Sequence, residues 1–313
     1  LEVIIEMMTF DEFCSWTENS IKNDLPSDYK DAEIIMHDIG KLGNSYRGMC
    51  VMPKGSNTVP TIDLNLFYDA YCSGIDKSTI LKAMAKIAQY KHPDLDYEWM
   101  TDYSKVRERL YIRLCNAEKN AEVLQTAPHW LYGDIALTCH VIVDTHGDCY
   151  GSTMLTNELL KPLDISEEEL LSDALENSSR LMLAEFMPID SLINEISGKE
   201  EQSETEETSP YYVLTNSRRI NGSAVLFYPG IMELLSEEIG GSYYILPSSV
   251  NELMILPDDG ITDLEWLEKM VRDVNRIYVD EKDFLSDNVY YYDSRSGQFG
   301  LAKELAGACA VQA

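Results

Sequence analysis

The chain has 313 residues, 45% of them apolar, and carries 54 acidic against 25 basic side chains, a formal charge of −29. That apolar content excludes a disordered polymer, and the lack of any apolar run of eighteen residues excludes a membrane-spanning helix. The negative charge repels phosphate backbones, so direct nucleic-acid binding is not expected.

Met8 stands directly before the first helix signal and reads as the natural start, with residues 1–7 an upstream extension. The opening "LEVIIEMM" carries Glu2 and Glu6 and lacks the basic segment of a signal peptide, so the expected compartment is the cytoplasm. Thr9 and Glu12 form a capping box, and Phe10, Phe13 and Cys14 fall on one helical face. "AEIIMHDIGKLGNSYRGMCVM" reads as a hairpin turning between Gly40 and Gly43. Beyond Pro60 a short strand runs into a helix, and Asp76 caps another whose buried stripe is Ile80, Leu81, Met84, Ile87 and Ala88. Residues 103–125 fit either one helix or a strand near "RLYIRLC" followed by a helix. A strand up to Asp144, a turn at His146-Gly147-Asp148 and a returning strand come next. Ser166 and Glu169 make a second capping box, with Leu170, Leu171, Ala174, Leu175 and Leu181 as the apolar stripe.

Composition then changes. Residues 197–210, "SGKEEQSETEETSP", offer no large apolar group and many like charges, the mark of a solvated linker. Strands are predicted at 211–215, 223–228, 243–246 and 251–256, with a helix over 230–239. Thr262 and Glu265 suggest a third capping box, opening a helix with the stripe Leu264, Leu267, Met270, Val271, Val274 and Ile277. "NVYYYD" and "QFGL" close the pattern as strands. The fold class is α+β, two subdomains with mostly antiparallel sheets flanked by helices. The expected boundaries are 8–196, the linker 197–210, 211–301, and a variable tail 302–313.

Seven cysteines, Cys14, Cys50, Cys72, Cys115, Cys139, Cys149 and Cys309, occur without a Cys-x-x-Cys pair and read as reduced thiols. The densest set of metal-type ligands is Cys139, His140, Asp144, His146, Asp148 and Cys149. Strand alternation turns Cys139 into the core with Leu137 and Val141, and the spacing matches no zinc pattern. The expectation is therefore no metal, with His140, His146 and Cys149 as the weak candidates. Asp63, Asp69, Asp94 and Asp96 lack calcium-loop spacing and read as solvated. No glycine-rich phosphate loop occurs, and no cofactor is expected.

Ser248 and Ser249 sit between two strands in a Pro-Ser-Ser turn. All five histidines lie at or before residue 146, so a nucleophilic serine would need His129, His140 or His146 brought to it. A loop whose hydroxyls bond local backbone is the simpler reading. Asn216, Arg218, Arg219 and Asn221 form a second polar cluster, able to hold an anion or a partner's carboxylate, or to pair with surface acids.

"PTIDLNLFYDAYCSG", "GDIALTCHVIVD", "ISEEELLSDALENS", "VLTNSRRINGSAVLFYPG", "YYILPSSVNELMILPDDG" and "LSDNVYYYD" together resemble a family of uncharacterised proteins from anaerobic Firmicutes, mainly gut Clostridia. The resemblance runs over about residues 8–293, and a fainter one points to a second uncharacterised bacillar family. It implies a bacterial cytoplasmic setting and no established activity.

The leading expectation is a binding or adaptor module, non-enzymatic, for a protein or small ligand. Asn216, Arg218, Arg219, Asn221, Ser248 and Ser249 are its binding candidates, and the 19 tyrosines are a source of contact surface. A hydrolase or metal-dependent enzyme built on His140, His146 and Cys149 is the alternative, and an acidic nucleic-acid mimic the second.

Overall fold

The computed structural model describes residues 7–56, 59–90, 98–146, 149–197 and 209–305. Contacts divide the chain into two compact units, Leu1–Asp96 and Tyr97–Ala313.

In the first unit, α1 (Phe10–Ser20) opens on the expected capping box, with the Thr9 amide donating to Glu12 Oε2 at 2.8 Å. β1 (Glu33–Lys41) and β2 (Asn44–Met52) form the hairpin, and β3 (Thr61–Asp63) completes an antiparallel sheet in the order β1-β2-β3. Asp63 ends that strand and caps α2 (Leu64–Cys72), while Asp76 caps α3 (Lys77–Ala88). Phe13, Met49, Ile62, Leu64, Ile80 and Met84 are buried together. Ile87 is exposed instead, and Ala85 takes its expected place in the stripe.

The second unit starts with α4 (Tyr103–Arg107) and β4 (Leu110–Asn116), so the strand-containing reading of 103–125 holds. After α5 (Ala121–Leu124), β5 (His129–Tyr132), β6 (Ile135–His146) and β7 (Cys149–Met154) give an antiparallel sheet in which β4 and β5 flank β6 and β7 also pairs with it. Gly147 and Asp148 of the expected turn lie outside the described residues. α6 (Asn157–Leu160) leads to α7 (Glu167–Leu181), whose Ser166–Glu169 capping box is present and whose Leu170 and Ala174 are buried.

A six-stranded antiparallel sheet, order β13-β12-β10-β11-β9-β8, makes up the rest. It comprises β8 (Ala184–Pro188), β9 (Tyr212–Asn216), β10 (Tyr243–Leu246), β11 (Leu253–Pro257), β12 (Tyr290–Asp293) and β13 (Gln298–Leu301). α8 (Ile189–Ser197) follows β8, α9 (Ile231–Ile239) precedes β10, and α10 (Leu264–Tyr278) precedes β12. Leu110, Ile112, Leu114, Leu137 and Val141 of the four-stranded sheet share one core with Leu214, Ile245, Leu253 and Ile255 of the six-stranded one. Leu246 and Leu256 pack with Leu267 and Val271 of α10 in a separate cluster. The α+β class is as expected.

Four further expectations change. The division between units falls at Asp96/Tyr97, while β8 and β9, which precede and follow residues 198–210 in the chain, are hydrogen-bonded neighbours in one sheet. Residues Gly222–Phe227 are a buried 3-10 turn in place of a strand, because a short apolar run fits either state. Asp263, not Thr262, caps α10, with Thr262 held by Asp259. Val274 and Ile277 are exposed, and Asn275 takes the buried position one turn beyond Val271.

Candidate functional site

β9 ends at Asn216, whose side chain organises the turn that follows. Its Oδ1 accepts from the Arg218 amide at 3.0 Å, and its Nδ2 donates to the Ile220 carbonyl at 2.9 Å. Arg219 and Asn221 both adopt left-handed backbone, with φ of 53° and 52°, a conformation that suits asparagine better than arginine. The 216–222 turn meets the loop between β10 and β11. Thr215 Oγ1 donates to the Asn251 carbonyl at 2.8 Å, and the Asn221 amide donates to Asn251 Oδ1 at 3.0 Å. Ser223 Oγ donates to the Val250 carbonyl at 2.7 Å. The contact is so close that a Cβ on Gly222 would lie 2.1 Å from Thr215 Oγ1 and 2.4 Å from the Asn251 carbonyl.

The structure therefore brings all six binding candidates to one junction. Asn216, Asn221 and Ser249 are buried there. Ser249 Oγ donates to Glu252 Oε1 at 2.6 Å and accepts from the Asn251 amide at 3.0 Å. Ser248 Oγ donates to the Glu252 carbonyl at 3.4 Å. Both serine hydroxyls thus bond within their own loop. Arg219 reaches Glu195 of α8 at 2.7 Å and Glu185 of β8 at 3.7 Å, which is the surface-acid pairing. These partners hold its guanidinium above and the Glu195 carboxyl below their ordinary pKa values. The sequence reading missed Asn251, the hub of the junction. An Asx residue after Ser-Ser in a turn, able to bond the backbone of another loop, was the available signal.

His140 and His129 lie in other surroundings. His140 is buried, with Nε2 3.1 Å from Thr138 Oγ1 and its ring 5.6 Å from that of Tyr111. Burial, then the charge of Arg113, holds its pKa well below 6.5, so the ring is neutral. His129 Nδ1 is 3.0 Å from the Ala127 carbonyl. The side chains of His146 and Cys149 lie outside the described residues. Among the described residues no group of three or more His, Cys, Asp or Glu is arranged to hold a metal ion. Cys14, Cys50, Cys72, Cys115 and Cys139 are free thiols, and burial pushes Cys115 and Cys139 up to about 12. No helix among the described residues is long and apolar enough to cross a membrane. Tyr111, Tyr243, Tyr290 and Tyr292 are core residues, so part of the tyrosine content serves packing and not contact surface.

Beside the junction runs the last strand of the sheet. β8 pairs only with β9 among the described residues. Ser217 donates to the Leu183 carbonyl and Ile189 to the Tyr211 carbonyl, bonds between directly opposite residues at either end of the paired run. Alternation along an antiparallel ladder then assigns Glu185 and Met187 to the bonds with β9. Ala184 and Phe186 direct their N–H and C=O groups outward, and Pro188 its carbonyl. The Phe186 ring stacks on Tyr212 with centroids 4.9 Å apart.

Two cavities lie elsewhere in this unit. One of about 560 Å³ lies between α4 and α7, where Tyr103 donates to Asp173 at 2.6 Å and Arg107 pairs with the same carboxylate at 2.8 Å. The other, of about 230 Å³, is bounded by α10 and the segment after it.

Comparison with known proteins places the chain in a family. It belongs to a family of unknown function, DUF5688, whose model covers residues 10–294. No curated protein and no solved structure matches it.

Proposed function

We propose that this member of the family is a binding module that takes up a basic, extended segment of another protein along the outer edge of β8. The observation that supports this reading is the run of outward backbone groups at Ala184 and Phe186, a template for one more strand. The charge of −29 favours a basic segment and draws it in at long range. Asn216, Arg218, Arg219, Asn221, Ser248 and Ser249 serve as the platform that fixes β9, and through it β8, at the Ala184 end of that edge. Arg219, bridging Glu185 and Glu195, ties α8 to the strand beside it. The setting we assign is the cytoplasm of a Firmicute, on the motif resemblance described above.

Selection from a random peptide display library tests the reading. Selected peptides are expected to be basic and free of internal proline, and to bind more weakly as salt rises. Ala184→Pro removes one outward donor and no ladder bond, so it is expected to keep the melting temperature and lose about tenfold or more in affinity, about 1.4 kcal/mol. Peptides that bind this variant as tightly as the parent would overturn the proposal.

A further inference from the structure

The smaller cavity shares no lining residue with the β8 edge. Its wall holds Lys119, Arg272 and Arg276, three of only 25 basic residues in a chain with 54 acidic ones. Glu281 and Asp287 are the acids in the same lining, so the cavity is locally cationic on a protein of the opposite sign. In the larger cavity, by contrast, Arg107 is already held by Asp173 at 2.8 Å.

The cations here are more loosely committed. Lys119 is 3.6 Å from Glu281, Arg272 is 3.7 Å from Glu268 and Arg276 is 3.3 Å from Asp273. All three pairs have exposed cationic partners, a class of ion pair that solvent makes weak. Lys119 Nζ also stands 4.3 Å over the Phe284 ring, which fixes a charge above an apolar floor.

A different kind of observation comes from Asn275. It is 4% exposed and its Nδ2 donates to the Ser286 carbonyl at 2.8 Å and to Asp287 Oδ1 at 3.0 Å. Its Oδ1, by contrast, is buried with no hydrogen-bond partner. Native proteins rarely leave a buried acceptor unpaired, and this one belongs to a residue that lines the cavity.

We propose that this cavity binds a small oxyanion that also carries an O–H or N–H donor. Arg272, Arg276 and Lys119 take the negative charge, and Asn275 Oδ1 accepts the donor once the exposed arginine side chains shift to admit it. A volume of about 230 Å³ falls below the range of roughly 300–1,000 Å³ usual for drug-sized ligands, which limits the occupant to a few heavy atoms beyond the anionic group. Phosphate and carboxylate share this chemistry, and two probes separate them: inorganic phosphate, and glycolate as a hydroxy acid.

The experiment is an NMR titration of the full chain with each probe at constant ionic strength, alongside sodium chloride and the Arg272→Gln/Arg276→Gln variant. The expected result is saturable shifts at the amides of Asn275, Val279 and Phe284 with at least one probe, and about a tenfold loss of affinity in the variant. A response to phosphate alone or to glycolate alone names the anion. Absence of saturation with both probes, or equal binding by the variant, overturns the site. Arg272 and Arg276 have exposed side chains whose ion pairs lie at the surface of α10, so the variant is expected to fold; an unchanged melting temperature verifies that. Failure here leaves the β8 reading intact, since the display experiment reads a different surface.

Discussion

Two polar regions of the second unit make opposite use of asparagine. At the 216–223 and 247–252 junction both asparagines use their amide oxygens to accept backbone N–H groups, Asn216 from Arg218 in its own turn and Asn251 from Asn221 in the facing turn. At the cavity beside α10, Asn275 has both hydrogens engaged and its oxygen unpaired. Bonds that run from one segment to the other make the first region a structural clamp. The open valence of the second makes it a place where something else can bind. Counting polar residues ranks the two regions the other way, as it did in the sequence.

The clamp can be broken most severely at Gly222. A methyl group there has no room between Thr215 and Asn251, so Gly222→Ala is expected to cost about 3 kcal/mol, the upper part of the overpacking range, in a denaturant titration. Ser223→Ala is milder. It deletes the 2.7 Å bond to the Val250 carbonyl, which still receives the Ser223 amide at 3.2 Å. A loss of about 1 kcal/mol is expected by the same titration.

Acidification sharpens the comparison by a route that leaves both regions alone. His140 is neutral when folded, its pKa held well below 6.5 by burial, and it regains its ordinary basicity on unfolding. Below 6.5 the unfolded chain therefore binds the extra proton, and stability is lost as pH falls from 6.5 towards the folded pKa. Denaturation midpoints should decline over this range in the parent and flatten in His140→Gln. The smallest effect belongs to Arg219→Gly. It deletes an exposed ion pair to Glu195 and a longer, half-buried one to Glu185 but relieves a left-handed arginine, so a change within about 1 kcal/mol is expected.

Much of the fold was legible where the signal was local. The capping boxes at Thr9–Glu12 and Ser166–Glu169 form as read, while Thr262–Glu265, with the same spacing, loses to Asp263, which caps α10. Strand alternation put Cys139 in the core correctly. Signals that depend on what lies opposite were not legible. Residues 222–227 wind into a 3-10 turn because the junction seats them there, and no periodicity distinguishes that from a strand. Alternation that puts Cys139 in the core turns His140 to the other face of the strand, yet it is buried too, on a face where Tyr111 and Ile142 pack with Met182. The six candidate residues did converge on one junction, where Asn216, Asn221, Ser248 and Ser249 bond neighbouring turn and loop groups. Asn275 was readable in principle: the spacing Leu267, Val271, Asn275 places an amide on the buried face of a helix, where it needs partners.

The β8 edge is tested most directly by amide hydrogen exchange on the free protein, resolved by residue. An open edge predicts alternation: Glu185 and Met187, bonded to β9, exchange slowly, while Ala184 and Phe186 exchange at least about a hundredfold faster. Uniform protection across these four amides would show the edge already covered and would contradict a strand-accepting site there.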